Sequence, residues 1–529
     1  MSHSFSKSLT LNGNPFVFSD KNEIEAQRRR KGPGPTGRAE KPVFRPPSGG
    51  GGIPSGGGSG QYSSGSNGGS WLPTSGGIGA GRPRIPLWLI ILGILALLLF
   101  GGKGLLSSLL GGTTDTGYYT EPPSSYEVAT TAPQNLSAPV TGFTPPAGSK
   151  DGSWTVMVYQ DADDQVLEQD ILTDFNEMEL VGSSDQVHIV AQVDRFRGAY
   201  SGDGNWTSAR RYYVTRDSDL ANINSQLAAD LGEVNMADPA TLVDFVTWSM
   251  STFPADHYAL ILSDHGMGWP GGWIDPAPAV AASSSAPLAQ KIGNALYLDK
   301  LDDALAAIRQ QTGIDKLDIL GMDACLMGQL EVLSALEPHA RYAILSEETE
   351  PALGWAYSSF LQALTANPGM SPEDLSKLVV QSYISEDQRI VDEQARSELL
   401  YQMGRGYASA AQLVNVLGKD STLSAIDLSR IPTLINRLND LSYVMQGADQ
   451  SDVATARNYA LSFSSIFGKS VPPSFIDLGN FLQILYQQSN NTDVRSLAEQ
   501  VYGDIQNAVI AEKHGTGKNG ATGISIYFP

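Results

Sequence analysis

Two short motifs in this 529-residue chain carry side chains that could act together in covalent catalysis. Residues 263–268 read SDHGMG and residues 321–328 read GMDACLMG, so His265 and Cys325, the single cysteine, each follow a short apolar run. A cysteine thiolate is a strong nucleophile, and histidine is the side chain that most often transfers protons near neutral pH. Together they predict acyl transfer through a covalent acyl-enzyme.

The residues that follow each motif support this interpretation. Gly266 and Gly268 allow the backbone to approach a substrate closely, and the amides of Gly266 and Cys325 could bind a developing oxyanion. Leucines recur at helical spacing after the cysteine, so we expect a helix to begin at or just beyond Cys325; they are Leu326, Leu330, Leu333 and Leu336. Its dipole and a nearby imidazole would lower the thiol pKa from about 8.5.

Simpler interpretations stand beside each of these. A lone cysteine is most often an inert buried residue, and a lone histidine is most often a polar residue satisfied by hydrogen bonds. Asp323 could simply cap the helix expected after it. Four other histidines lack a paired nucleophile or metal-ligand spacing and are interpreted as structural or surface residues rather than metal ligands: His188, His257, His339 and His514.

Strand-like and helix-like segments alternate from residue 154 onward. The apolar runs WTVMVY, VHIVAQVD (187–194), YALILSD (258–264) and LDILGMD (317–323) are separated by segments with helical periodicity. Such alternation predicts an α/β fold with a mostly parallel central sheet and helices on both faces. Functional groups collect at the carboxyl ends of strands in such sheets, where His265 and Cys325 both lie.

Composition excludes several classes of protein. The net charge is −21, and up to residue 86 there are 11 Lys and Arg against 4 Asp and Glu, so the first part is basic and the net negative charge arises from the remainder. An acidic domain is a poor partner for nucleic acid. One cysteine excludes an intramolecular disulfide and a zinc-finger spacing.

The first 152 residues predict a membrane attachment. Residues 1–84 form a basic tail rich in Gly, Ser and Pro, which we expect to be disordered and cytoplasmic. Residues 85–102 carry no charge and would reach about 27 Å as a helix, close to the thickness of a bilayer core. We therefore expect a single-pass protein of the cell membrane, with a Thr, Ser and Pro-rich spacer over 103–152 and an extracytoplasmic domain over 153–529.

Six segments in order resemble the clostripain family of cysteine peptidases, which has a caspase-like α/β fold. They are WTVMVY, LGEVNMADPATLVDFV, PADHYALILSDHGMGW, GMDACLMGQLEV, SEETEPALGWAY and TGISIYFP, spread from about residue 154 to the last. The resemblance implies a Cys/His dyad in which His265 is general base and acid and Cys325 attacks the scissile carbonyl. Residues from about 370 onward are largely helical by pattern.

The resemblance also implies a preference for cleavage after arginine or lysine. A buried cation needs a carboxylate partner, and Asp323 matches the family position that lines the specificity pocket. Glu347, Glu348 and Glu350 could contribute to that pocket, and solvated surface charge is the alternative role for most of them. The expected partners are thus protein or peptide substrates with Arg or Lys at the cleavage site, and the lipid bilayer through residues 85–102.

Some family members are activated by cleavage between the histidine and cysteine strands. That interval contains a small-residue loop over about 275–295, in which Lys291 is the first basic residue after the histidine motif. Self-cleavage after Lys291 is a hypothesis, and an ordinary mobile insertion is the alternative. No cofactor is expected to be required; calcium is left open, because clostripain depends on it but the acidic run at 161–170 lacks the calcium-loop pattern.

The sequence therefore predicts a membrane-anchored cysteine endopeptidase. Two other classes remain: a non-catalytic binding or scaffold protein that retains the peptidase fold, and an acyl transferase that shares the thioester intermediate.

Overall fold

The computed structural model describes residues 143, 154–198, 200–275, 294–466 and 472–529. The predicted tail, the predicted span at 85–102, nearly all of the spacer, and Lys291 lie outside the described residues. Within the described ranges, no helix combines the length and the apolar character needed to cross a membrane.

Nine strands form one sheet in the order β12-β10-β9-β8-β5-β1-β2-β3-β4. Their bounds are β1 Trp154–Ala162, β2 Val187–Arg195, β3 Ala209–Tyr213, β4 Gln226–Gly232, β5 His257–Ser263, β8 Leu317–Asp323, β9 Ala340–Leu345, β10 Thr422–Asp427 and β12 Val509–His514. Two small antiparallel pairs accompany this sheet: β6 Gly271–Ile274 with β7 Ala295–Tyr297, and β11 Phe475–Asp477 with β13 Ser525–Tyr527.

The sheet is mixed, so the prediction of a mostly parallel sheet is wrong for its outer strands. The five central strands β2, β1, β5, β8 and β9 pair in parallel, whereas β3 and β4 on one side and β10 and β12 on the other pair antiparallel. No α-helix is described within the connections from β2 to β3 (196–208) and from β3 to β4 (214–225), and parallel crossovers usually run through a helix, so these strands pair antiparallel.

Helices cover both faces of the sheet, as the alternation of segments predicts. In chain order they are α1 Glu168–Glu179, α2 Pro239–Thr252, α3 Leu298–Thr312, α4 Leu330–Leu336, α5 Tyr357–Ala366, α6 Pro372–Ser382, α7 Gln388–Val391, α8 Glu393–Gln402, α9 Ala410–Leu417, α10 Ile431–Gln446, α11 Gln450–Tyr459, α12 Leu478–Gln488 and α13 Thr492–Ala508.

Alternate side chains of each central strand face opposite layers of helices. In β1, Met157 joins the core beneath α2, α3, α10 and α13, while Val156 and Val158 join the core beneath α1, α5 and α6. All nine residues of β1 are buried, which explains why its first six residues, WTVMVY, are nearly all apolar rather than alternating. A strand buried on both faces gives the residues beyond its carboxyl end a rigid base.

The largely helical part of the chain from about 370 also contributes strands. β10 and β12 extend the central sheet, and β13 lies against the segment that follows Cys325, with the Ser525 amide donating to the Gly328 carbonyl at 2.8 Å. The C-terminal residues therefore help to position the nucleophile motif.

Candidate active site

His265 and Cys325 follow the ends of two neighbouring strands. β5 and β8 pair in parallel with Ser263 opposite Asp323, so each side chain lies two residues beyond its strand at the same edge of the sheet. The Asp264 amide donates to the Asp323 carbonyl at 3.4 Å, which extends the pairing past the strand ends. The two strands are therefore neighbours, which the amino-acid sequence alone does not reveal.

Gly266 brings the two motifs into direct backbone contact. A Cβ at this position would lie 2.2 Å from the Cys325 carbonyl oxygen and 3.0 Å from the Cys325 amide nitrogen, distances that no side chain tolerates. In the part of the chain that the structure describes, neither the Gly266 nor the Cys325 amide donates a hydrogen bond. Two adjacent free amides are the donors that an oxyanion site requires.

The imidazole of His265 faces a carboxylate from the next strand along the sheet. Its Nε2 lies 3.4 Å from Asp164 Oδ2, the separation of an ion pair rather than of a well-aligned hydrogen bond. Asp164 follows β1 and is itself held in place, because its Oδ1 accepts from the amides of Val166 and Leu167 at 2.7 and 2.8 Å. Burial alone would lower the His265 pKa, but the interaction with Asp164 and the charge of Asp264 outweigh it and raise the pKa to about 9.

The thiol of Cys325 has a different environment from the one predicted. Its Sγ accepts a hydrogen bond from the Glu350 amide at 3.4 Å, and no hydrogen bond joins it to His265 among the described side chains. Burial raises the pKa of the thiol to about 12, and the charges of Glu350, Glu348 and Asp323 add to the effect, although the Glu350 amide opposes it. The predicted lowering of the thiol pKa is therefore wrong for this conformation.

The expected helix at Cys325 is also absent, which removes the predicted dipole. α4 begins at Leu330, and Leu326 has a φ of +66°, a left-handed conformation that interrupts a helix. Leu326 instead packs against Phe463 and Phe475, and its amide donates to the Glu348 carbonyl at 3.1 Å. Tertiary contacts of this residue override the leucine periodicity.

Asp323 is a buried carboxylate rather than a helix cap. Its side chain is only 6% exposed, its Oδ2 accepts from the Tyr357 hydroxyl at 2.9 Å, and Gln329 takes the N-cap position of α4. Burial raises its pKa to about 7 against the opposing effect of the Tyr357 hydrogen bond. Glu350 lies nearby, accepts from Trp355 Nε1 at 3.1 Å and has a pKa raised by burial and by Asp323.

Sequence reasoning missed the contact between Asp164 and His265. The residue lies in the run DADD at the end of β1, which was considered only as a calcium-loop candidate. The available signal was its position, since an acidic residue after a strand that neighbours the histidine strand can reach the imidazole. The order of strands, which the sequence does not reveal, decides whether it does.

Four further histidines in the described part of the chain each pair with a neighbouring side chain. The ring of His188 contacts Tyr213, His257 pairs with Asp318, His339 with Asp302, and His514 with Glu512. Within the described ranges, no group of three or more His, Cys, Asp or Glu side chains is arranged to hold a metal ion.

Residues 158–529 match the Clostripain family. Clostripain from Hathewaya histolytica is 29% identical over 244 residues, which cover 43% of this chain and 45% of that protein, so the match spans about half the length of this curated relative. Among solved structures, a secreted cysteine protease from Bacteroides thetaiotaomicron in complex with an irreversible peptide inhibitor is 20% identical, with 71% of this chain and 92% of that chain covered and a TM-score of 0.47. An inactive zymogen protease from Parabacteroides distasonis is 14% identical over 72% of this chain and 92% of that chain, with a TM-score of 0.48.

Proposed function

Because the chain belongs to the clostripain family of cysteine peptidases, we propose that it is a cysteine endopeptidase in which Cys325 is the nucleophile and His265 the general base and acid. The main support for this pair is the contact between the two motifs. His265 and Cys325 follow adjacent parallel strands, and Gly266 lies against the Cys325 backbone.

The proposed reaction starts from a protonated thiol. Neutral His265 takes the proton from Cys325 as Sγ bonds to the scissile carbonyl carbon, and the amides of Gly266 and Cys325 donate to the resulting oxyanion. Collapse breaks the bond to the leaving amine, which receives the proton from His265 and departs. Water then attacks the thioester, with its proton passing to His265, and hydrolysis restores the thiol. Asp164 orients the imidazole and stabilises the imidazolium that forms in between.

A preference for arginine or lysine before the scissile bond is part of the proposal. Three carboxylates, those of Asp323, Glu350 and Glu348, influence the Cys325 thiol, so the surroundings of the nucleophile are acidic. Glu348 already pairs with Lys518, which leaves Asp323 and Glu350 as the partners for a substrate cation. A substrate cation bound there would be paired rather than buried alone, which is the condition for binding it without a large desolvation cost.

Location and activation extend the proposal to parts of the chain outside the described residues. We place the protein in the cell membrane through residues 85–102, with the N-terminus cytoplasmic, and we assign Lys291 as the site of self-cleavage. The caspase-like class of the fold and a response to calcium also stay predictions. Intact chain from fully active enzyme would argue against cleavage at Lys291.

The deciding experiment compares the protein with its Cys325→Ala and His265→Ala variants on fluorogenic peptides ending in Arg, Lys, Asp or Leu, with and without calcium. Cleavage after Arg or Lys that both substitutions abolish is expected. His257→Ala is the matched control, because His257 lies at the opposite end of the same strand, β5, where it pairs with Asp318 at 3.3 Å, and it should retain activity. No turnover of any peptide by folded protein would favour the non-catalytic binding protein, and ligation of an added amine would favour an acyl transferase.

A further inference from the structure

Two aromatic side chains beside the candidate active site are exposed and in contact with each other. Trp269 is 41% exposed and Tyr527 is 37% exposed, and their ring centroids are 5.8 Å apart. Large aromatic rings left in water forgo the stabilisation that burial would give them. Paired exposed rings therefore indicate a surface that gains its burial from a bound molecule.

Trp269 is fixed relative to both catalytic motifs. It lies four residues after His265, and its amide donates to Gln329 Oε1 at 2.9 Å. Gln329 lies four residues after Cys325 and is fully buried. Gly268, the residue before Trp269, packs so closely on Gln329 that a Cβ at position 268 would lie 2.2 Å from Gln329 Nε2. The backbone of Trp269 therefore cannot move without displacing the histidine motif or the nucleophile motif.

Tyr527 approaches from the C-terminal strand β13. Its amide donates to Glu331 Oε1 at 3.0 Å, and its ring contacts the edge of Phe475 at 6.0 Å between centroids. Phe475 belongs to the small buried cluster with Leu326 and Phe463, against which Cys325 itself packs. An apolar path thus runs from the nucleophile to the exposed aromatic pair.

The neighbours of Cys325 therefore differ in chemistry. One set is acidic, chiefly Asp323 and Glu350, and suits a cation; the other is apolar and ends at Trp269 and Tyr527. His265 must reach the leaving amine to protonate it, so the segment that continues from His265 borders the half of the substrate that leaves.

We propose that Trp269 and Tyr527 form a subsite for a large apolar or aromatic side chain of the peptide substrate, within the first residues after the scissile bond. The proposal rests on the proposed endopeptidase function and adds a second specificity to it: a cation before the bond and an apolar group after it. Flat rings bind such a side chain by burying its area and by ring stacking.

The test uses two internally quenched peptides that share an arginine before the scissile bond and differ only after it, one with tryptophan and one with alanine. The unmodified protein is expected to cleave the tryptophan peptide with a kcat/KM about tenfold higher. In Trp269→Ala and in Tyr527→Ala that ratio should fall towards one. Tyr443→Ala is the control, because Tyr443 is an aromatic residue 64% exposed on α10, and it should leave the ratio and the rates unchanged.

The possible outcomes separate the two levels of the proposal. N-benzoyl-arginine methyl ester, whose leaving group is methanol, reports on the unmodified enzyme without any residue after the bond; if neither ester nor peptide is hydrolysed, the proposed function and the subsite both fall. Ester hydrolysis with equal kcat/KM for the two peptides would overturn the subsite alone, as would a ratio that survives both substitutions. If the kcat/KM ratio of the two peptides is unchanged in both variants but Trp269→Ala alters the elution volume in size-exclusion chromatography, the aromatic pair would be assigned to self-association instead.

Discussion

Asp164 Oδ2 lies 3.4 Å from His265 Nε2, and the two residues follow the adjacent parallel strands β1 and β5. With Cys325 after β8, three successive strands of one sheet end in a carboxylate, an imidazole and a thiol. The order along the sheet is that of an orienting acid, a base and a nucleophile. Each group is delivered by a strand buried on both faces, which keeps their backbone positions fixed.

Asp164→Asn should move the acid limb of the kcat/KM profile to lower pH. Asp164 raises the pKa of His265, so its neutralisation lowers that pKa from about 9 towards the ordinary value, and the neutral base becomes available at lower pH. We expect a shift of about one pH unit, together with a lower plateau because the ring loses its orientation.

The control for this prediction is Asp302→Asn. Asp302 makes a shorter contact, 2.7 Å, with the ring of His339, a pair remote from both motifs. Its pH profile should match that of the unmodified protein. An acid limb that stays in place in Asp164→Asn would contradict the assignment of His265 as the group that titrates.

A bound cation should increase the reactivity of the Cys325 thiol. The nearby carboxylates contribute to its raised pKa, and Asp323, with a pKa of about 7, is ionised at pH 8.5. Agmatine, whose guanidinium would neutralise these charges, should therefore accelerate alkylation by iodoacetamide, roughly tenfold for each pKa unit recovered.

The neutral urea analogue of agmatine is the matched ligand and should have no such effect. Asp323→Asn should react faster than the unmodified protein even without ligand, because one of the repelling charges is gone. Equal alkylation rates with agmatine and its analogue would show that the carboxylates do not control the thiol.

Gly266→Ala should abolish peptidase activity, by about a hundredfold or more in kcat, because the added Cβ would collide with the Cys325 carbonyl and force the two motifs apart. Activity is measured on an arginine peptide and folding by thermal unfolding. Gly503→Ala, in α13 with open space around its Cβ position, is the control and should keep full activity with stability unchanged or higher by up to about 1 kcal/mol. Full activity in Gly266→Ala would refute the close contact.

Arg389→Met should destabilise the fold by about 3–5 kcal/mol, because it leaves buried carboxylates without their cation. The guanidinium contacts Asp174 at 2.6 Å, Asp170 at 3.3 Å and Asp387 at 3.4 Å, and thereby ties α1 to α7 behind Asp323. Urea unfolding at pH 7 measures the loss.

Arg430→Met is the comparison for this change. Arg430 also pairs with an aspartate, Asp427, at 3.2 Å, but its side chain is 60% exposed, so its loss should cost less than about 1 kcal/mol. Similar unfolding midpoints for the two variants would show that the buried cluster is not held by Arg389.

Much of the central architecture could be predicted because its signals are local. The runs at 187–194, 258–264 and 317–323 agree with β2, β5 and β8 to within a residue, since strands buried on both faces are rich in apolar and β-branched residues. The same signals locate His265 and Cys325 beyond strand ends. The outer strands were missed, because β10 and β12 are short and lie among helices whose periodicity dominates the pattern.

The amino-acid sequence by itself determined which residues could react and that each follows a strand, because residue type and periodicity are properties of the chain. Only the tertiary structure decided their environment: Asp164 reaches His265, Glu350 donates to Cys325, and Leu326 turns away from a helix to pack on Phe463. These partners lie 25 or more residues away along the chain. A pKa depends on the burial and charges that folding brings together, so the protonation states of His265 and Cys325 follow from strand order and packing.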